Sequence, residues 1–223
     1  MNAWASDGDY HGDSSTVSAL RTALRRQRLA ARSALADDER RPASARIEAH
    51  LTALLSDRPT GTLAFCWPIR GEFDCRPLAE KLLARGWRLC QPVAVEEGRP
   101  LVFRRWTPTT PMARDHHGIP VPAAGESVTP DVVLVPLVAF DARGYRLGYG
   151  GGYFDRTLAT MAPRAFAVGV GFELARADSV HPQPHDVPMD AVVTEAGVHR
   201  PAPSVAIAPE GGDHDDRKEL PDG

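Results

Sequence analysis

Residues 131–161 read DVVLVPLVAFDARGYRLGYGGGYFDRTLATM, and this stretch decides the fold. Its opening, Asp131 to Leu137, is a short unbroken apolar run, the pattern of a central strand buried on both faces. Glycine then takes four of the five positions from Gly148 to Gly152, and Tyr153 to Met161 reads as a helix. A buried strand, a glycine turn and a helix in that order predict one unit of a parallel sheet.

The same alternation continues on either side. Downstream, Ala165 to Gly171 reads as a strand and Ala191 to Thr194 as a last short one. Upstream, strands are expected at Thr62 to Trp67, Trp87 to Val95 and Leu101 to Trp106, and helices at Ser18 to Leu35, Ala43 to Leu55 and Pro77 to Arg85. Gly86 stops the third helix. In the first helix Val17, Leu20, Leu24, Ala31 and Leu35 fall near one stripe, with Arg21, Arg25, Arg28 and Arg32 in a parallel stripe beside it. In the second, Ile47, Leu51, Leu54 and Leu55 face inward. The proline-rich residues 107–130 read as a long loop. The pattern predicts a single α/β domain over residues 16–200 with a largely parallel sheet.

Hydrophobic residues make up 43% of the 223 and charged residues 25%, values that exclude collagen, coiled coil and wholesale disorder. No run approaches the roughly 20 apolar residues of a membrane span, and the first residues lack the basic start and apolar middle of a secretory signal. The expectation is a cytoplasmic monomer with no membrane partner. Net charge is −3 overall, but residues 1–15 carry −3 and residues 201–223 carry −4, leaving +4 on residues 16–200. That suits a small anionic substrate better than a nucleic acid. Both acidic ends, polar and rich in Gly, Pro and Asp, are expected to be disordered tails. Cys66, Cys75 and Cys90 have no CxxC spacing and read as buried reduced thiols.

The glycine run carries the chemistry. Its exposed backbone N–H groups and the positive end of the following helix suit a phosphate. It is not a P-loop, because no Gly-Lys-Ser/Thr follows, and Tyr149 breaks the dinucleotide spacing. A tight turn that needs only positive φ is the plainer alternative. With Phe140-Asp141-x-x-Gly144 before it, the run Arg146-Leu147-Gly148-Tyr149-Gly150-Gly151-Gly152-Tyr153-Phe154-Asp155-Arg156 closely resembles the signature of 5-formyltetrahydrofolate cyclo-ligases. Leu24-Arg25, Arg70-Gly71-Glu72-Phe73-Asp74 and His185-Asp186-Val187-Pro188-Met189-Asp190 match in the right order, so the resemblance covers about residues 18–195.

The resemblance implies a three-layer α/β sandwich, related in architecture to sugar-phosphate isomerases and CoA transferases. It implies closure of 5-formyltetrahydrofolate to 5,10-methenyltetrahydrofolate with ATP as co-substrate and Mg2+ as cofactor. Arg146, Leu147, Gly148, Tyr149, Gly150, Gly151, Gly152, Tyr153 and Phe154 would form the ATP loop, with Arg21 and Arg25 on the phosphates. Tyr149, Gly150, Gly151, Gly152 and Tyr153 would also border the folate. Glu72 would bond the donor edge of the pterin, with Trp67 on the apolar wall. Asp155 and Asp186 would be metal ligands, and Arg25 and Asp155 the catalytic pair.

Some members have Lys where Arg21 stands and Arg-Gly-Lys where Tyr149-Gly150-Gly151 stands; Phe154 replaces a frequent Tyr. Each role has a plainer competitor. The arginines read equally as a solvated helix face, Glu72 as a surface carboxylate, Asp155 as a complement to the helix dipole and Asp186 as a turn bond. His181 and His185 lack a third partner for zinc. Two other functions stay open: a CoA-transferase-like or isomerase activity, with Glu72 or Glu173 as nucleophile, and a binding paralogue without turnover.

Overall fold

In the computed structural model, residues 14–201 are described; the expected acidic tails lie outside them except for Ser14, Ser15 and Pro201. In chain order the elements are α1 (Ser14–Ala34), α2 (Asp37–Ser56), β1 (Thr62–Ala64), α3 (Arg76–Ala84), β2 (Arg88–Val93), β3 (Val102–Trp106), β4 (Met112–Arg114), β5 (Pro120–Pro122), β6 (Val132–Pro136), β7 (Ala139–Phe140), β8 (Arg146–Leu147), α4 (Tyr153–Thr160), β9 (Phe166–Val170), β10 (Ala191–Thr194) and β11 (Gly197–His199). A single 3-10 turn spans Glu173–Ala175.

Seven strands form one sheet in the order β11-β10-β9-β6-β1-β2-β3. The five from β10 to β2 are parallel, and β3 and β11 close the two edges antiparallel. Alternation along the strands explains the layers. Val132 and Leu134 of β6, Val168 and Val170 of β9 and Val193 of β10 pack on Ile47, Leu51 and Leu55 of α2 and Leu78 and Leu82 of α3. Val133, Val135, Ala167 and Val192 turn the other way and meet Leu158 of α4. The result is the expected three-layer α/β arrangement around a mixed, largely parallel sheet.

Connectivity locates the site. From β1 the chain moves through α3 to β2 on one side; it then returns to β6, on the other side of β1, and continues outward to β9 and β10. The order therefore reverses between β1 and β6. The crevice at the C-terminal ends of those two strands is where ligands of open parallel sheets bind.

Two local expectations need correction, and one hairpin lay outside them. The loop over residues 107–130 holds a short antiparallel hairpin, β4–β5, stitched at its tip by Asp115, whose Oδ1 accepts the amides of His117 and Ile119. The turn after β7 is another hairpin. Buried Asp141 receives the amides of Arg143 and Tyr145 there, and Gly144 sits at φ +81° with no room for a Cβ, which would lie 2.9 Å from the Met189 carbonyl. The second correction concerns α1. Leu20 is 44% exposed, while Arg21 and Arg32 are the two buried residues of the helix. The arginine stripe faces the protein.

Candidate active site

Arginines recur at i, i+4, i+7 and i+11 in α1, so they share one face. That face lies across the C-terminal ends of the parallel strands and is fastened mainly to carbonyl oxygens. Arg21 Nη1 donates to His181 O (2.9 Å), Arg25 Nε to Gly148 O (2.9 Å) and Arg28 Nη1 to Leu174 O (3.0 Å). Arg32 reaches Arg70 O at 3.1 Å and Leu137 O at 3.1 Å, in the connections after β1 and β6. Arg25 spends only Nε in this way; its two terminal nitrogens have no partner among the described residues. Burial, and next the charge of Arg21, lower the Arg25 proton affinity below the usual arginine value. It remains a cation at neutral pH, and an anion would relieve it.

The glycine loop runs directly beneath. A Cβ on Gly150 would lie 3.9 Å from Arg25 Cζ. Positive φ occurs at Gly150 (+107°) and at Gly152 (+64°), the N-cap of α4, but not at Gly151, where the demand is steric: a Cβ would stand 2.8 Å from the Tyr153 ring. The amides of Tyr149, Gly150, Gly151 and Gly152 donate to no acceptor among the described residues. Free N–H groups at a helix N-terminus, under an arginine with free donors, form an anion site. The other residues of the run serve it from inside. Leu147 is fully buried and Arg146 is 5% exposed, its Nη1 bonding Asp155 Oδ1 (3.0 Å) and Val187 O (3.2 Å). Phe154 is half-buried against the α4 core, and Tyr153 accepts or donates to His116 Nε2 at 3.1 Å. His116, at the β4–β5 tip, was missed by the sequence reading because only the folded hairpin brings it there.

Glu72 stands across the crevice, on the turn that follows β1. Its Oε2 accepts the Ile69 amide at 3.0 Å and its Oε1 accepts the Tyr149 hydroxyl at 2.7 Å. Burial pushes its carboxyl above the ordinary range, opposed by those two bonds and by Arg32 and Arg70. Behind it a cavity of about 10 Å³ is lined by Cys66, Glu72, Cys75 and Pro136, space for about one water. Burial also raises all three thiols, Cys90 to about 12, so they are protonated at neutral pH. Trp67 is half-buried over the core, with Arg76 Cζ 4.8 Å above its ring. A larger cleft of about 240 Å³ lies at the opposite end of β1 and β2, against Thr62, Arg88 and Arg105, and no expected site residue lines it.

The two candidate metal carboxylates differ. Among the described residues Asp155 takes both of its bonds, from Arg146 and from the Val187 amide (3.0 Å), on Oδ1, leaving Oδ2 free there. Asp186 is bound bidentately by Arg21, at 2.5 and 3.2 Å, and also accepts the Gln183 amide. Burial would raise the Asp186 carboxyl, but the bonds from Arg21 and the Gln183 amide, with the charges of Arg21 and His185, together outweigh it and hold the group below the ordinary carboxylate range. Among the described residues no three His, Cys, Asp or Glu side chains converge to hold a metal. Magnesium commonly takes one or two carboxylates and completes its shell with water and phosphate oxygens, and Asp155 fits that arrangement. Asp186 fits it only once Arg21 has moved off.

Known proteins share this fold. The model of the 5-formyltetrahydrofolate cyclo-ligase family matches residues 17–195. The chain is 31% identical over 147 residues to the 5-formyltetrahydrofolate cyclo-ligase of Haemophilus influenzae, covering 63% of this chain and 79% of that one. It is 34% identical over 145 residues to the Escherichia coli K12 enzyme of the same name, covering 61% and 79%. The solved structure of Aquifex aeolicus 5,10-methenyltetrahydrofolate synthetase superposes with a TM-score of 0.70 at 30% identity, over 87% of this chain and all of that one. No helix among the described residues is long and apolar enough to cross a membrane. The crevice between β1 and β6, with a glycine loop on one wall and a half-buried glutamate on the other, is thus set in a shared framework: the chain belongs to the 5-formyltetrahydrofolate cyclo-ligase family.

Proposed function

We propose that this protein closes 5-formyltetrahydrofolate to 5,10-methenyltetrahydrofolate, consuming ATP and releasing ADP and phosphate. The observation that carries this reading is the free amide row of Tyr149–Gly152 beneath the free end of Arg25, facing Glu72 across one crevice. One wall suits phosphates and the other suits a ring that offers N–H donors.

The formyl group on nitrogen 5 is an amide, a poor electrophile for nitrogen 10. Its oxygen attacks the γ-phosphorus of ATP and the bond to ADP breaks. The phosphorylated oxygen is now a good leaving group, so nitrogen 10 adds to the carbon, loses its proton, and phosphate departs with the former formyl oxygen. No covalent enzyme intermediate is needed. The protein aligns oxygen and phosphorus and neutralises charge moving toward ADP. The amide row and Arg25 supply fixed donors for that charge. Glu72 takes the donor edge of the pterin, and Trp67 supplies apolar surface nearby. Magnesium, when bound, screens the phosphate oxygens; Asp155 Oδ2 would hold it, and Asp186 would join if Arg21 transfers to a phosphate.

The test is the near-ultraviolet absorbance of the methenyl product. The expected result is a rise that requires the protein, ATP and magnesium together. No rise, with both ligands bound by calorimetry, would make the protein a binding paralogue.

A further inference from the structure

A single hydroxyl joins the two walls of the crevice, and its proton has only one place to go. Arg32 Nη2 lies 2.5 Å from Tyr149 Oη, and a guanidinium can only donate. The Tyr149 hydroxyl therefore donates its own proton to Glu72 Oε1, 2.7 Å away. Burial, and next the charge of Glu72, push the Tyr149 proton affinity well up, so the hydroxyl stays protonated. With the Ile69 amide on Oε2, both oxygens of Glu72 are fixed from the protein side.

The turn beneath is held with equal care. Arg70 adopts φ +48°, a left-handed conformation that costs about 1 kcal/mol or more in a residue with a side chain. Its carbonyl accepts from Arg32 Nε at 3.1 Å, and the Gly71 carbonyl from Arg40 Nη1 at 2.6 Å. Arg70 also places its guanidinium 5.4 Å from the Tyr149 ring centre. Two helices thus converge on a strained turn whose outcome is the direction of one carboxylate.

We infer that Tyr149 is a positioning residue that determines folate affinity: its hydroxyl fixes Glu72 in the orientation that reads the paired N–H donors of the pterin edge. The inference rests on the cyclo-ligase reading and assigns the tyrosine a task separate from the phosphate contacts of its backbone. A cation here, as some relatives carry, would face Glu72 as a charge; the tyrosine supplies direction and leaves the carboxylate its charge for the substrate.

The test is a set of three variants, Tyr149→Phe, Glu72→Gln and the double variant, each followed by steady-state kinetics and by calorimetric titration with 5-formyltetrahydrofolate. Tyr149→Phe should raise KM and Kd for the folate about tenfold, the scale of a hydrogen bond to a charged group. KM for ATP should stay within about twofold, because the backbone amides are untouched. In the double variant, Tyr149→Phe should add nothing to Glu72→Gln. The groups facing Glu72 are Tyr149, Arg32, Arg70, Cys66 and Cys75. Of these Tyr149 and the two arginines favour its ionised form, so loss of the hydroxyl should move the acid limb of kcat/KM for folate to higher pH. The residue is 38% exposed, and melting temperature should hardly change. An effect on ATP instead of folate, effects that multiply in the double variant, or a drop in melting temperature without the KM split would overturn the inference. If the wild type binds folate but never turns it over, the cyclo-ligase reading fails while the calorimetric comparison still decides the role of Tyr149.

Discussion

Asp155 divides its work between its two oxygens. Oδ1 ties Arg146 and the Val187 amide together, while Oδ2 has no partner among the described residues. Asp155→Asn keeps an acceptor for the structural bonds and removes the charge. We expect turnover to fall by about 100-fold, the scale of one preorganised charge contact, with saturation requiring more magnesium. Magnesium titrations of the variant check this; an unchanged magnesium dependence would leave Asp155 only its bond to Arg146 and its place at the helix start. Residues of this kind are singled out by the family signature, which gives their positions. It does not say that Arg146 and Leu147 lie inside, because an arginine beside four glycines has the same sequence whether it reaches a phosphate or props the loop. Tyr149 was legible as a loop residue, but not as the partner of Glu72, 77 positions away.

Among the elements, α1 departs most from its amphipathic reading. Its leucines and arginines form neighbouring stripes; Leu24 and Leu35 are half-buried against the core and Leu20 is exposed, while the buried side chains are Arg21 and Arg32. The carbonyl oxygens it meets lie in the connections beyond the strands, at Arg70, Leu137, Gly148, Leu174 and His181, and guanidinium groups satisfy those better than leucine does. The choice of face was invisible without knowing what the helix lies on. The Arg21–Asp186 pair is a buried ion pair of this helix, with side chains 10% and 3% exposed. Asp186→Ala would leave a buried guanidinium without its counter-charge and should lower stability by about 3 kcal/mol. The pH sign follows from a carboxyl held below its unfolded value. Its stabilisation is present above the unfolded pKa and is lost as pH falls through the folded one. Denaturation midpoints should therefore drop in acid more steeply for the wild type than for Asp186→Ala, most visibly below about pH 4. Parallel acid profiles would show that the pair contributes little.

At the scale of the whole molecule, strand content was readable wherever side chains are buried on both faces, as in β6 and β9. The order of the strands was not, since periodicity carries no information on which neighbour a strand selects. Yet that order, reversing between β1 and β6, opens the crevice and brings the Glu72 turn to the glycine loop. The short edge strand β11 and the β4–β5 hairpin were missed because their pairing depends on contacts formed only in the fold. The central claim concerns the crevice as a whole: it aligns the formyl oxygen with the terminal phosphorus of ATP. The most direct measurement uses 5-formyltetrahydrofolate labelled with oxygen-18 in the formyl group, followed by mass analysis of the phosphate released in a single turnover. The account predicts one labelled oxygen in each phosphate and none in water. Unlabelled phosphate, with the label recovered in water, would contradict it.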